Sequence, residues 1–190
     1  MQLTTNCRTC GLFQYVSSPQ VLGRGNTTCP KIIMIGEAPG VDEDKIGKPF
    51  MGRAGEMLDK MIKNYADVTY LTNAVKCFPP ACKTDLSKGF GTPKESEIQL
   101  CKPFLIQELQ KFSINTLPIL MPLGNIALTS LVGQHKGITK ELGIPRKVKI
   151  ALREYTVIPN YHPSYVCRNP AMESEFMRVL GTVWMQRTIQ

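Results

Sequence analysis

The chain predicts an α/β fold: three layers, α/β/α, around a mainly parallel, four-stranded central sheet. Three observations carry this. Short apolar runs recur along the sequence. Between them lie segments with helical periodicity or helix-start signals, and such alternation implies a mainly parallel sheet covered on both faces. A long loop rich in glycine and acid, residues 36–55, separates the first apolar run from the first helix. Open α/β sheets form ligand sites where such loops leave the carboxyl ends of strands.

The elements follow in order. Residues 31–35 (KIIMI) read as a strand, and residues 56–65 as a helix with Met57, Leu58, Met61 and Ile62 on one face. Residues 68–75 (VTYLTNAV) read as the second strand. Thr92-Pro93-Lys94-Glu95 reads as a capping box with proline at the first helical position, opening a helix to about residue 112. Residues 117–122 (LPILMP) give a third strand, and residues 125–132 a short helix. Residues 147–151 and 155–158 bracket a turn and supply a fourth strand, and residues 173–187 form a terminal helix. The polar stretch 81–91 (ACKTDLSKGFG) reads as an exposed loop, and no internal repeat is present.

At 190 residues the chain suits one well-buried domain, spanning 1–190. Its hydrophobic content of 43% and charged content of 20% describe an ordinary soluble globular protein. No apolar stretch reaches the roughly 18–20 residues that span a bilayer, and no signal peptide opens the chain. An intracellular location, cytoplasmic or at the nucleoid, is therefore expected. The net charge of +8 suits a polyanionic partner, because released counterions drive nucleic-acid binding. Seven cysteines without a secretion signal argue against a disulfide framework and towards metal ligation.

The loop 36–55 carries Glu37, Asp42, Glu43, Asp44, Phe50 and five glycines. A plain strand–helix connection needs only about 2–6 residues. No Gly-Lys-Ser/Thr follows, and the GxGxxG spacing is absent, which excludes a Walker loop and a dinucleotide fingerprint. A metal-binding loop or a solvated turn remains open on pattern alone. Cys7 and Cys10 form a C-x2-C pair, Cys77 follows the second strand, and Cys101 sits in the capped helix. Four such thiolates suit either a tetrahedral zinc or a 4Fe-4S cluster, and spacing does not separate the two. Cys77 and Cys101 also fit as small buried hydrophobes. Of the two histidines, His135 in a glycine-flanked loop reads as structural.

The string GEAPGVDEDKIGKPFMGRAG resembles the first motif of the iron–sulfur (family 4) uracil-DNA glycosylases: GEAPG, an acidic pair, then GxPFxGxAG. HPS within YHPSYVCRNP (161–170) resembles that family's second signature, and Asn73 in LTNAVKC its uracil-reading asparagine. The C-x2-C pair, KCFPP and CKPFL match its cluster cysteines, which implies Cys7, Cys10, Cys77 and Cys101 around a structural 4Fe-4S cluster. The matches run from Cys7 to about Pro170. In two places the chain departs from the pattern. Cys77 and Cys101 lie farther apart than is usual, which the loop 81–91 explains, and Cys82 in that loop competes as a ligand. Before Arg168, where the family has an apolar wedge, stands Cys167.

The resemblance implies a monofunctional glycosylase that releases uracil from DNA and leaves an abasic site. A base in a duplex must be flipped into a pocket and read on its Watson–Crick edge. Glu37, Ala38, Pro39, Phe50, Asn73 and His162 are then the uracil-binding set, with Phe50 stacking on the ring, Asn73 reading it and His162 donating to O2. Ala38 stands where other glycosylases have aspartate, so the carboxylate near the sugar falls to Glu37 or Glu43, both expected to contribute. Asp42 and Asp44 are expected to be solvated or helix-directed. Ser164 is expected to hold a DNA phosphate, and Arg168 to neutralise one or enter the minor groove. The expected partner is uracil-containing DNA, with no membrane and a monomeric chain; a replication or repair protein is a further candidate. Two other readings stand: a non-catalytic DNA-binding relative, and a zinc-stapled nucleotide-binding protein.

Overall fold

The computed structural model describes residues 7–81, 83, 89–113 and 117–188, without the side chains of 186–188. Among these, β1 (Arg24–Gly25), β2 (Ile32–Gly36), β3 (Thr69–Asn73), β4 (Ile119–Pro122), β5 (Arg146–Ile150) and β6 (Arg153–Val157) form one sheet. Its order is β1-β3-β2-β4-β6-β5. The inner strands β3, β2, β4 and β6 run parallel, and β1 and β5 are antiparallel edges. The sheet thus has six strands where the sequence predicts four. Two-residue β1 is too short to show a periodicity. The fourth predicted strand is in fact a hairpin, whose outer member β5 alternates half-exposed and exposed positions before ending buried.

The β2 residues Ile32, Ile33, Met34 and Ile35 are all buried, because the strand is covered on both faces. On one face Ile32 and Met34 meet Leu58 and Met61 of α2 (Arg53–Met61), Val166 of α6 (Pro163–Arg168), and Phe176 and Leu180 of α7 (Glu173–Thr188). On the other, Ile33 and Ile35 meet Leu105 and Leu109 of α3 (Glu95–Leu109), and Leu128 and Leu131 of α4 (Asn125–Val132). The three layers expected from the alternation are present.

Local signals explain most boundaries. The helix predicted over 56–65 starts three residues earlier and gives way to a 3-10 turn at Lys63–Val68. Helix α3 starts at Glu95 with Lys94 as its cap, and Glu97 reaches back to accept the Lys94 N–H at 2.8 Å. The predicted box at 92–95 is therefore displaced, and Pro93 stands before the helix. The long loop is not wholly irregular, since it contains α1 (Val41–Ile46), closed by Gly47 at φ 74°. Asp44 is buried rather than solvated: its carboxylate accepts the N–H groups of Ser17 (2.8 Å) and Ser18 (3.0 Å). That contact fastens the N-terminal segment to α1.

A third cluster joins Leu12, Val75, Cys77, Ile98 and Cys101 at the exit of β3. Beside it lies a buried ion pair, Lys76 with Glu108. Glu108 also accepts from Tyr70 Oη (2.7 Å), Thr72 Oγ1 (2.8 Å) and the Gly23 N–H (2.8 Å). Lys76 Nζ donates to the Asn73 carbonyl at 2.6 Å. Burial alone would raise the Glu108 carboxyl, but the Lys76 charge and these donors outweigh it and hold it below the ordinary value. Removing one partner strands the other charge in the interior. Lys76→Met should therefore destabilise the protein by about 3–5 kcal/mol, measured by denaturant unfolding.

Candidate active site

The carboxyl ends of β2, β4 and β6 open onto one cleft of about 530 Å³, within the range of small-ligand pockets. Of the residues predicted for the site, Glu37, Ala38, His162, Ser164 and Arg168 line it. Asn125 and Tyr161 line it as well, and the sequence did not single them out. Asn125 Oδ1 accepts the Ile138 N–H at 2.8 Å, which ties the start of α4 to α5 (Ile138–Glu141). Phe90, near the end of the loop 81–91, and Thr92 just after it also line the cleft.

Phe50 and Asn73 do not line this cleft; both are buried beside it, in a slot that their own side chains fill. They meet over Gly36, the last residue of β2, which pairs with Asn73 in the sheet. A Cβ on Gly36 would collide with Asn73 Oδ1 and stand 2.6 Å from Phe50 Cζ. Only glycine leaves room for both side chains. The Phe50 ring stacks towards the His162 ring, with centroids 6.4 Å apart and planes at 29°, and so links slot and cleft.

Phe50 is held in a left-handed backbone conformation, φ 55°, which is strained for a bulky residue. Arg24 holds it there. Its guanidinium donates to the carbonyls of Pro49 (2.9 Å) and Phe50 (3.0 Å) and makes two 2.8 Å bonds to Asp59. From the other side, α2 packs so closely that a Cβ on Gly55 would collide with the Phe50 carbonyl. Arg24 escaped the sequence analysis, because its partners are backbone carbonyls and leave no pattern.

The two candidate acids are placed differently. Glu37 faces the cleft, and burial raises its carboxyl above the ordinary value. Glu43 turns to the loop backbone and accepts the N–H groups of Met51 (2.9 Å) and Gly52 (3.1 Å). Pro39 is buried behind Ala38, and Asp42 is exposed.

His162 caps α6, with Pro163 at the first helical position. Its Nδ1 lies 3.2 Å from the Ser164 N–H and 2.7 Å from Ser164 Oγ. A backbone N–H can only donate, so Nδ1 is an acceptor, and the neutral ring carries its proton on Nε2. Burial, followed by the charge of Arg168, lowers its pKa to about 4. The ring is therefore neutral at pH 7. The Ser164 hydroxyl, expected on a phosphate, is engaged with this ring. Arg168 is exposed at the cleft edge. His135 is tied to Thr129 Oγ1 (3.0 Å) and the Gly137 N–H (3.0 Å) and lies outside this cleft.

Cys7, Cys10, Cys77 and Cys101 line a second, mostly apolar cavity, which also includes Gln20, Val75 and Phe104. Burial pushes the Cys77 thiol up to about 11 and the Cys101 thiol up to about 12. The Lys76 N–H donates to Cys101 Sγ at 3.3 Å, and the Gln20 N–H donates to the Cys77 thiol. Among the described residues, no group of three or more Cys, His, Asp or Glu side chains is close enough to hold a single ion. A mononuclear zinc needs its sulfurs about 2.3 Å from one point. The four thiols around one cavity are the residues that could hold a sulfur-bound metal or cluster. Cys82 lies outside the described residues. Cys167 Sγ rests 3.2 Å from Met57 Sδ, away from this cavity. Ala38 packs against the cysteine-bearing cluster and lines the cleft, so the two sites share a wall.

Residues 22–181 match the family described as the uracil DNA glycosylase superfamily. The chain is similar to proteins named type-4 uracil-DNA glycosylase. That of Sulfurisphaera tokodaii is 33% identical over 92% of this chain and 79% of its own length. That of Pyrobaculum aerophilum is 32% identical over 95% of this chain and 89% of its own. That of Thermotoga maritima is 36% identical over 80% of this chain and 74% of its own. With the glycine-floored slot, the cleft histidine and the cysteine cavity in one chain, these likenesses fix its kinship: it belongs to the uracil-DNA glycosylase superfamily, among the type-4 enzymes.

Proposed function

We propose that the protein is a monofunctional uracil-DNA glycosylase, hydrolysing the bond between uracil and deoxyribose in DNA and leaving an abasic site. The observation that carries this is the join of slot and cleft. An amide and an aromatic ring meet over Gly36, next to a neutral histidine whose remaining proton faces away from its cap. A flipped uracil stacks on Phe50, the Asn73 amide reads O4 and N3, and Ala38 and Pro39 contribute to its binding. As the glycosidic bond breaks, negative charge grows on the base, and the His162 Nε2–H donates to O2. Glu37 stands by the sugar, steadies its positive charge and orients the attacking water. Glu43 contributes by fixing the loop that carries Phe50. No lysine is required as a nucleophile.

Arg168 takes a DNA phosphate at the rim, while Ser164 holds the histidine in its donating tautomer. Cys7, Cys10, Cys77 and Cys101 would hold a 4Fe-4S cluster, whose part is structural: it fastens the N-terminal segment to β3 and α3. We read residues 1–190 as one domain that acts as a monomer. No helix among the described residues is long and apolar enough to cross a membrane. DNA repair implies a location with the chromosome, where a replication or repair protein is a further partner.

The deciding experiment uses an oligonucleotide with one uracil, followed by alkali. Strand scission at uracil, but not at thymine in the same position, is expected; no scission from cluster-loaded, DNA-binding protein would favour a non-catalytic relative. His162→Ala and Asn73→Ala should each lower uracil release by roughly 10²-fold with the fold retained, as seen by circular dichroism. Gly36→Ala should match that loss, because its methyl group displaces both Asn73 and Phe50.

The pH profile follows from the two titrating groups. Glu37 acts as a carboxylate, and its raised pKa means that this charge is lost earlier on acidification than for an ordinary glutamate. The rate should fall as pH drops through a midpoint above 4.5, and Glu37→Gln should lack that limb. His162 is neutral above about 4 and should add no step between roughly pH 5 and 8. A step there that disappears in His162→Gln would overturn the neutral-donor assignment.

A further inference from the structure

Gln20 has no place in the uracil chemistry, yet it holds a left-handed backbone conformation beside the cysteines. It follows Pro19 in a turn and has φ 58°. With proline before it, glycine or asparagine is the usual occupant of such a position. A glutamine there costs backbone energy that its side chain must offset.

That side chain is more than nine-tenths buried. Among the described residues its amide Nε2 is buried with no hydrogen-bond partner. Gln20 lines the cavity shared by Cys7, Cys10, Cys77 and Cys101, and its backbone N–H already donates to the Cys77 thiol. The other polar side chains of that cavity are committed. Lys76 Nζ is bound to Thr72, Asn73 and Glu108, and Thr9 Oγ1 meets Cys7 Sγ at 3.4 Å. A buried amide donor left without an acceptor costs its full desolvation. The acceptor it lacks is what a sulfur-rich group in this cavity offers.

We infer that the Gln20 side chain is an outer donor to the cluster, its amide hydrogen-bonded to a cluster sulfur and its backbone N–H to the Cys77 thiolate. The inference rests on the cluster reading above. Gln20 is thus a positioning residue, which holds the charge of the cluster and keeps water from it. It is a donor to sulfur, not a ligand to iron. No electron or atom is transferred in this role.

The test compares the wild-type protein with Gln20→Leu, which keeps bulk without a donor, and Gln20→Gly, which removes the side chain but relieves the left-handed backbone. Iron and sulfide are first measured in the wild type, purified without air. Protein without both would overturn the cluster reading and this inference with it. With the cluster present, both variants should lose their visible absorbance under air about 10–100-fold faster than wild type. Their iron–sulfur stretching bands in resonance Raman spectra should shift as well. Should Gln20→Leu not fold, Gln20→Gly decides alone, since its backbone is better suited to the site. Wild-type bleaching rates and unshifted bands in the folded variants would overturn this inference and leave the cluster reading intact.

Discussion

The Lys76–Glu108 pair organises the end of β3, and both sites hang from that end. Glu108 draws Tyr70, Thr72 and the Gly23 N–H onto one carboxylate, which ties β1 and β3 to α3. Lys76 answers it and at the same time holds the carbonyl of Asn73. The Lys76 N–H reaches Cys101. Asn73 on one side and Cys77 on the other are thus set by a single buried charge pair. Such pairs are rarely favourable against an apolar replacement, but they tolerate little change of geometry. Here that intolerance keeps the asparagine in register with Gly36.

The slot needs a second device, because Phe50 belongs to a loop and not to the sheet. Its backbone is left-handed, a conformation that a free loop would abandon. Arg24 grips the carbonyls of residues 49 and 50 from the sheet edge, Glu43 grips the N–H groups of 51 and 52, and Gly55 lets α2 close over the turn. Both polar directions of the backbone are engaged. The ring is therefore fixed towards His162 before any base arrives, which lowers the ordering cost of binding.

The sequence made some of this legible and hid the rest for physical reasons. Apolar runs located β2, β3 and β4 within one or two residues, because strands buried on both faces leave nearly continuous apolar strings. Helix α4 was read at its observed limits, since Gly124 and Gly133 punctuate it. The edge β1 left no signal, being two residues long, and the hairpin β5–β6 was read as one strand. Motif strings led to Glu37, Phe50, Asn73, His162 and the four cysteines. They did not tell Glu37 from Glu43, because only the folded backbone turns the first to the cleft after β2 and the second, on α1, to the loop N–H groups. Lys76, Arg24 and Gln20 were missed for one shared reason: each acts on main-chain atoms or on partners far along the chain. Glu108, for example, lies 32 residues after Lys76.

The cysteine cavity also has a chronology. Cys7 and Cys10 leave the ribosome first, but the wall they share with Cys101 needs about 90 further residues. At roughly 5–20 residues per second, several seconds pass before the fourth thiol exists. During that time α3 is incomplete and cannot shield the first pair, whereas the tie between Asp44 and residues 17–18 can already form. The nascent chain thus carries the first two thiols through about half of its synthesis before the fourth exists. On the proposed cluster reading, those two thiols must stay reduced until the last partner emerges.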